Sequence, residues 1–99
     1  MNTFRVIQYT VRPDAVAENS RLVTSVYGEL AERHPADFRY ATLLVGGNTF
    51  LHLAVTDGAG PAPLPGLPAF RTFQNDLADR ITAPLTRDDA VVVGNYGLL

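Results

Sequence analysis

The chain has 99 residues, a net charge of −2, no cysteine, and eight cations that are all arginine. That length predicts one domain, and the charge offers no basic footprint for nucleic acid or an anionic membrane. Without cysteine or lysine, disulfides, thiolate catalysis, cysteine-ligated metals and a lysine Schiff base are excluded.

The opening MNTFRVIQYT has no basic segment leading into a long apolar run, and nothing reaches the roughly 20 apolar residues of a membrane span. A soluble cytoplasmic protein is expected. Thr3 to Val11 reads as a strand, rich in β-branched and aromatic residues. Arg12-Pro13-Asp14 ends it, with Asp14 a candidate helix N-cap. From Ala15 to Arg33 the period is helical, and Val16, Val23, Val26, Tyr27 and Leu30 share one face. His34-Pro35 stops this helix, because a proline ring disfavours α geometry at the residue before it.

Phe38 to Thr56 reads as a hairpin turning at Gly46-Gly47-Asn48, largely apolar on both faces. A two-residue turn would put Tyr40, Thr42 and Leu44 on one face with Leu51, Leu53 and Val55. Ala41, Leu43 and Val45 would then join Phe50, His52 and Ala54 on the other. A three-residue loop would swap these sets. Asp57 to Pro68 is too rich in proline and glycine for regular structure and reads as a lid or an edge-covering loop. Ala69 to Ile81 is a second helix, with Phe70, Phe73, Leu77 and Ile81 on one face, ended by Pro84. Ala90 to Tyr96 is expected as the last strand, with Gly94 a possible bulge.

The order strand, helix, strand, strand, helix, strand predicts an α+β, ferredoxin-like βαββαβ domain over residues 1–99. Its four-stranded antiparallel sheet would carry both helices on one face. A sheet apolar on both sides must be covered on both sides. A homodimer through the bare face is therefore expected, burying Tyr40, Leu44, Leu51, Leu53 and Val55.

The segments VIQYTVRPD, LLVGGNTFLHLAVTD and LPAFRTFQNDLADR, with the closing VVVGNYG, resemble the dimeric α/β-barrel superfamily, in particular the antibiotic-biosynthesis-monooxygenase-like proteins. The likeness spans nearly the whole chain. It implies a chamber between sheet and helices, and it implies either cofactor-independent oxygenation of an aromatic or polyketide-like small molecule or haem degradation. The active oxygenases of that family carry an Asn on the first strand and a Trp at the end of the third; haem degraders add a His on the second helix. Here Ile7 or Gln8 and Thr56 stand at the first two positions, the second helix has no His, and the chain has no Trp. A dimeric binding or accessory protein that keeps the barrel and lacks the chemistry is the alternative.

Among polar residues, His52 is the candidate catalytic group: a neutral imidazole facing the chamber would serve as general base toward a phenol or enol. The simpler alternative is a histidine hydrogen-bonded within a core or at its edge. Asn19 lies in the middle of the apolar stripe of the first helix, where a buried amide needs a partner. It would orient a ligand or meet a nearby loop. Tyr9 alternates with Ile7 and Val11 and would donate into the chamber or pack there. Phe50, Thr56 and Phe73 complete the expected substrate-binding set, with Arg71 and Gln74 near the mouth. His34, at a helix end, suits capping. No metal site or bound cofactor is expected; a haem would need His52 or His34 as its ligand.

Overall fold

A computed structural model describes residues 3–57 and 63–98. Strand β1 (Thr3–Thr10) runs through a short 3-10 turn (Pro13–Ala15) into helix α1 (Val16–Arg33). Strands β2 (Phe38–Val45) and β3 (Thr49–Thr56) form the hairpin, and a second 3-10 turn (Leu64–Gly66) precedes helices α2 (Pro68–Asn75) and α3 (Leu77–Arg80). Strand β4 (Thr86–Asp89) closes a four-stranded antiparallel sheet of order β2-β3-β1-β4. The α+β, ferredoxin-like expectation holds.

Helix α1 starts without a side-chain cap: Asp14 pairs with Arg12 instead of bonding the helix N-terminus. It buries Asn19, Leu22, Val23 and Val26 against the sheet, with Val16, Tyr27 and Leu30 packed beside them. It ends where His34 adopts left-handed φ 45 and its amide donates to the Leu30 carbonyl. The expected second helix is broken at Asp76, yet Phe73 and Leu77 are buried and Phe70 and Ile81 pack against them as the periodicity requires. In the proline-rich connection, residues 58–62 lie outside the described residues, and so does the expected lid across them. Leu64 and Leu67 beyond them are buried in the core.

The hairpin register is shifted by one residue from the two-residue-turn expectation. Val45 opposes Thr49, so three residues make the connection, and Tyr40 opposes Ala54 while Thr42 opposes His52. The cause is Asn48: its side chain donates to the Val11 carbonyl, and its own carbonyl accepts from the Val11 amide. Those two bonds draw Asn48 out of the hairpin ladder, and Gly46 and Gly47, at φ 65 and 93, supply the left-handed geometry the longer turn needs. Because side chains alternate along a strand, this exchanges the β2 sets. Tyr40 and Leu44 therefore lie on the helix side with Phe50 and His52, and do not join Leu51, Leu53 and Val55 on the outer face. Ala41, Leu43 and Val45 take their places.

The last strand is also corrected. Thr86–Asp89 pairs with β1, whereas Val91 and Val93 are 87% and 100% exposed and belong to no strand. Beyond the Ala90 amide, which donates to the Phe4 carbonyl, the chain leaves the ladder. β-Propensity needs a neighbouring strand, and among the described residues this segment has none. It borders a groove of about 640 Å³ on the outer face, lined by Phe4, Leu43, Leu53 and Val55.

A Cβ at Gly47 would meet nothing within 4 Å, so a substitution there tests backbone strain alone. Gly47→Val is expected to lower stability by about 1–3 kcal/mol, read as a drop in the urea midpoint at unchanged slope.

Candidate functional site

Between sheet and helices runs a chain of buried polar groups. Ile7 opposes His52 and Tyr9 opposes Phe50, so the β1–β3 register puts Tyr9 one row along the inner face from the imidazole. Tyr9 Oη lies 2.8 Å from His52 Nε2, and His52 Nδ1 lies 2.5 Å from Tyr40 Oη and 3.2 Å from Thr42 Oγ1. Thr42 in turn lies 2.8 Å from Tyr27 Oη. On the other side, Asn19 Nδ2 donates to Tyr9 Oη at 2.9 Å, and Arg80 Nε donates to Asn19 Oδ1 at 2.9 Å. A second guanidinium nitrogen of Arg80 donates to the Phe73 carbonyl at 2.7 Å, and the guanidinium carbon lies 5.5 Å from the Phe73 ring centre.

The bonding pattern fixes where protons sit. A guanidinium only donates, so the oxygen of Asn19 faces Arg80 and its NH₂ faces Tyr9. Tyr9 accepts that bond, which directs its own proton to His52 Nε2. The neutral imidazole then carries its proton on Nδ1 and donates it toward Tyr40. Among the described residues, no buried side-chain nitrogen or oxygen lacks a partner.

Burial dominates the electrostatics. It lowers His52 from its usual pKa to about 4, so the ring is neutral at pH 7. Burial raises the Tyr9 phenol to about 12, against the opposing bond from Asn19 and the charge of Arg80. Tyr40 is raised further, by burial first and then by the neighbouring Tyr27. Arg80 is only 5% exposed and, with His52 neutral, is the one charged side chain among the buried described residues. Glu18, exposed on α1, feels both Arg21, which lowers its pKa most, and Arg80.

Aromatic rings frame this chain. Tyr9 stacks on Phe50 at 5.6 Å and on His52 at 5.3 Å, and Phe73 covers both. The space beside them is a void of about 30 Å³, lined by Tyr9, Tyr40, His52, Phe70, Phe73 and Leu77, with Gln74 and Arg87 also at its boundary. That holds about one water molecule. On its other side Tyr40 stacks with Tyr27 and Phe38 and lines an open depression of about 360 Å³ that includes His34.

The structure thus joins Tyr9, Asn19 and His52 in one bonded unit, with Phe73 as its cover. Phe50 is a core residue stacked beneath Tyr9. Thr56 opposes Phe38, two inner-face positions from His52, and does not line the void. Gln74 lines it and Arg71 does not. Arg80 and Tyr40 were missed. The signal for Arg80 was its spacing, three residues after Leu77 and seven after Phe73, which puts an arginine on the apolar stripe. Tyr40 was assigned to the other face by the register. Among the described residues, no three His, Asp or Glu side chains gather to hold a metal, and no helix is long and apolar enough to cross a membrane.

The depressed His52 pKa has a stability consequence. In the unfolded chain the imidazole titrates near 6.5, so between about pH 6.5 and 4 the unfolded state binds more protons than the folded state. The neutral ring's full contribution is therefore present above about pH 6.5, and is lost as pH falls toward 4. The span is on the order of 3 kcal/mol. Urea midpoints of the wild type, compared with His52→Gln at pH 7.5 and 4.5, should show this loss in the wild type and a smaller one in the variant.

No protein-family model matches the chain, and no curated protein does. Solved structures do. A Nitrosomonas europaea protein provisionally assigned as an antibiotic biosynthesis monooxygenase superposes with a TM-score of 0.76 at 14% identity, covering 97% of this chain and 94% of its own. Rv0793 from Mycobacterium tuberculosis gives 0.70 at 12% identity, over 96% and 98% of the two chains. A variant of SnoaB, a cofactor-independent oxygenase from Streptomyces nogalater, gives 0.67 at 18% identity, over 97% of each. Over nearly its whole length, the chain shares the fold of these structures.

Proposed function

We propose that this protein is a cofactor-independent oxygenase acting on an aromatic, polyketide-like small molecule, with Tyr9 and His52 as its proton-accepting pair. The observation that carries this reading is the neutral His52, whose Nε2 lone pair faces the Tyr9 hydroxyl beside the void. A ligand hydroxyl entering there hands its proton to Tyr9 as Tyr9 passes its own to Nε2. The resulting imidazolium is held by its Nδ1–H bond to Tyr40. The ligand carbanion then reacts with dioxygen at carbon. The peroxide anion formed takes the proton back from His52. The hydroperoxide, on a carbon that still bears one hydrogen, loses that hydrogen and its terminal OH as water to leave a carbonyl. One oxygen atom thus enters the product and one leaves as water. General-base transfer of this kind contributes typically 10²–10⁴-fold.

The size of the void favours a second reading. About 30 Å³ holds no aromatic ring, so productive binding requires Phe70 and Phe73 to move. A protein in which they stay closed keeps the barrel as a binding or accessory module. Oxygen uptake with a panel of hydroxynaphthalenes and hydroxyanthrones separates the two. The oxygenase reading expects turnover that falls at least about 10²-fold in both Tyr9→Phe and His52→Gln. Full activity in His52→Gln would sink it.

We further propose that the protein is a homodimer through the outer face, where Leu43, Leu51, Leu53 and Val55 lie beside the unpaired run Val91–Val93. Each large side chain buried there contributes roughly 1.5–3 kcal/mol. Light scattering should give twice the 10.7 kDa chain mass, and Leu53→Glu should return a folded monomer. A monomeric wild type at micromolar concentration contradicts this assembly.

A further inference from the structure

We infer that Arg80 is a positioning residue that fixes the direction of the whole chain, Arg80 to Asn19 to Tyr9 to His52 to Tyr40, and so keeps the acceptor nitrogen of the imidazole toward Tyr9. Arg80 does not line the void and lies within no salt-bridge distance of a carboxylate among the described residues. Its contacts are the Asn19 oxygen, the Phe73 carbonyl and the face of the Phe73 ring. A buried cation with no paired anion is costly, and its strongest polar bonds are spent holding one amide and one helix carbonyl in place.

The consequence follows from donor and acceptor counts. An amide can turn about its last bond and exchange its oxygen for its NH₂. Arg80 forbids the exchanged form, because it would set NH₂ against a guanidinium donor. With Asn19 so locked, Tyr9 must accept from it and can only donate to His52 Nε2. If the amide were free to turn, Tyr9 would donate to the Asn19 oxygen. The imidazole would then carry its proton on Nε2 and donate it to Tyr9, with its lone pair moved to Nδ1, toward Tyr40. Arg80 also places its positive charge two hydrogen bonds from Tyr9, where it favours any negative charge that develops on the phenol or on a ligand beside it.

The significance for turnover rests on the oxygenase reading above; the tautomer itself does not. It is read by long-range ¹H–¹⁵N correlation NMR of ¹⁵N-labelled protein, with His52 assigned by comparison with His34→Gln. The wild type is expected to show His52 protonated at Nδ1 and bare at Nε2. Arg80→Met, which keeps apolar volume and removes the donor, should shift the signal to Nε2–H or to a mixture. Asn19→Asp keeps a partner for Arg80 but turns the bond around, since a carboxylate only accepts. Tyr9 then donates to it, and His52 should become Nε2–H. A wild type already protonated at Nε2 would overturn the inference, and so would an unchanged Nδ1–H pattern in a folded Arg80→Met. Should Arg80→Met fail to fold, an unchanged pattern in Asn19→Asp decides against it in the same way.

Discussion

The constraint on which the rest depends is the burial of one imidazole between two phenols, under a layer of helices that is otherwise apolar. Polar groups are held there only when hydrogen-bonded, because each unsatisfied one costs on the order of 1–3 kcal/mol. The solution is a continuous line in which every member answers its neighbour, from Arg80 on α3 through Asn19 on α1 to Tyr9, His52 and Tyr40 on three adjacent strands. This line ties the helical layer to the sheet at its centre. It also explains why an amide sits on the buried stripe of α1 and why an arginine with no carboxylate is tolerated on α3. Its polarity leaves His52 neutral with one lone pair directed at Tyr9, which is the arrangement the proposed chemistry uses.

The two faces of β3 carry different tasks. Phe50 and His52 look toward the helices, while Leu51, Leu53 and Val55 look away from them. The outer row meets a groove bordered by the run Val91–Val93, apolar residues without a strand partner among the described residues. The inner row meets a void for one water and the bonded phenols. Because side chains alternate along a strand, a substitution at an odd-numbered position of β3 reaches the outer face, and one at an even-numbered position reaches the buried polar chain.

Much of this was legible in the residues. The stripes Val23, Val26, Tyr27 and Leu30 on α1 and Phe70, Phe73 and Leu77 on the second helical segment follow from helical periodicity. That His52 and Phe50 share a face follows from alternation, and that this face looks toward the helices is what the family resemblance implies. What was not legible depended on contacts distant in sequence. Asn48 lengthens the hairpin turn because it bonds Val11, 37 residues away, and that single bond pair exchanges the faces of β2 and carries Tyr40 into the site. The Val91–Val93 run has strand propensity, but the described residues offer it no strand partner. The spacing of Arg80 puts it on an apolar stripe, but its partner Asn19, 61 residues away, is not given by that spacing. Asn19 itself announced that a partner was required without saying which.

The central claim, that His52 is neutral and closed within a bonded line, is tested most directly by following its imidazole by NMR as pH is lowered through the range where the protein stays folded. The account predicts a ring that remains neutral through pH 5 and begins to titrate only near pH 4. An imidazole that titrates near 6.5 in the folded protein would show that it is open to water, and would contradict the account.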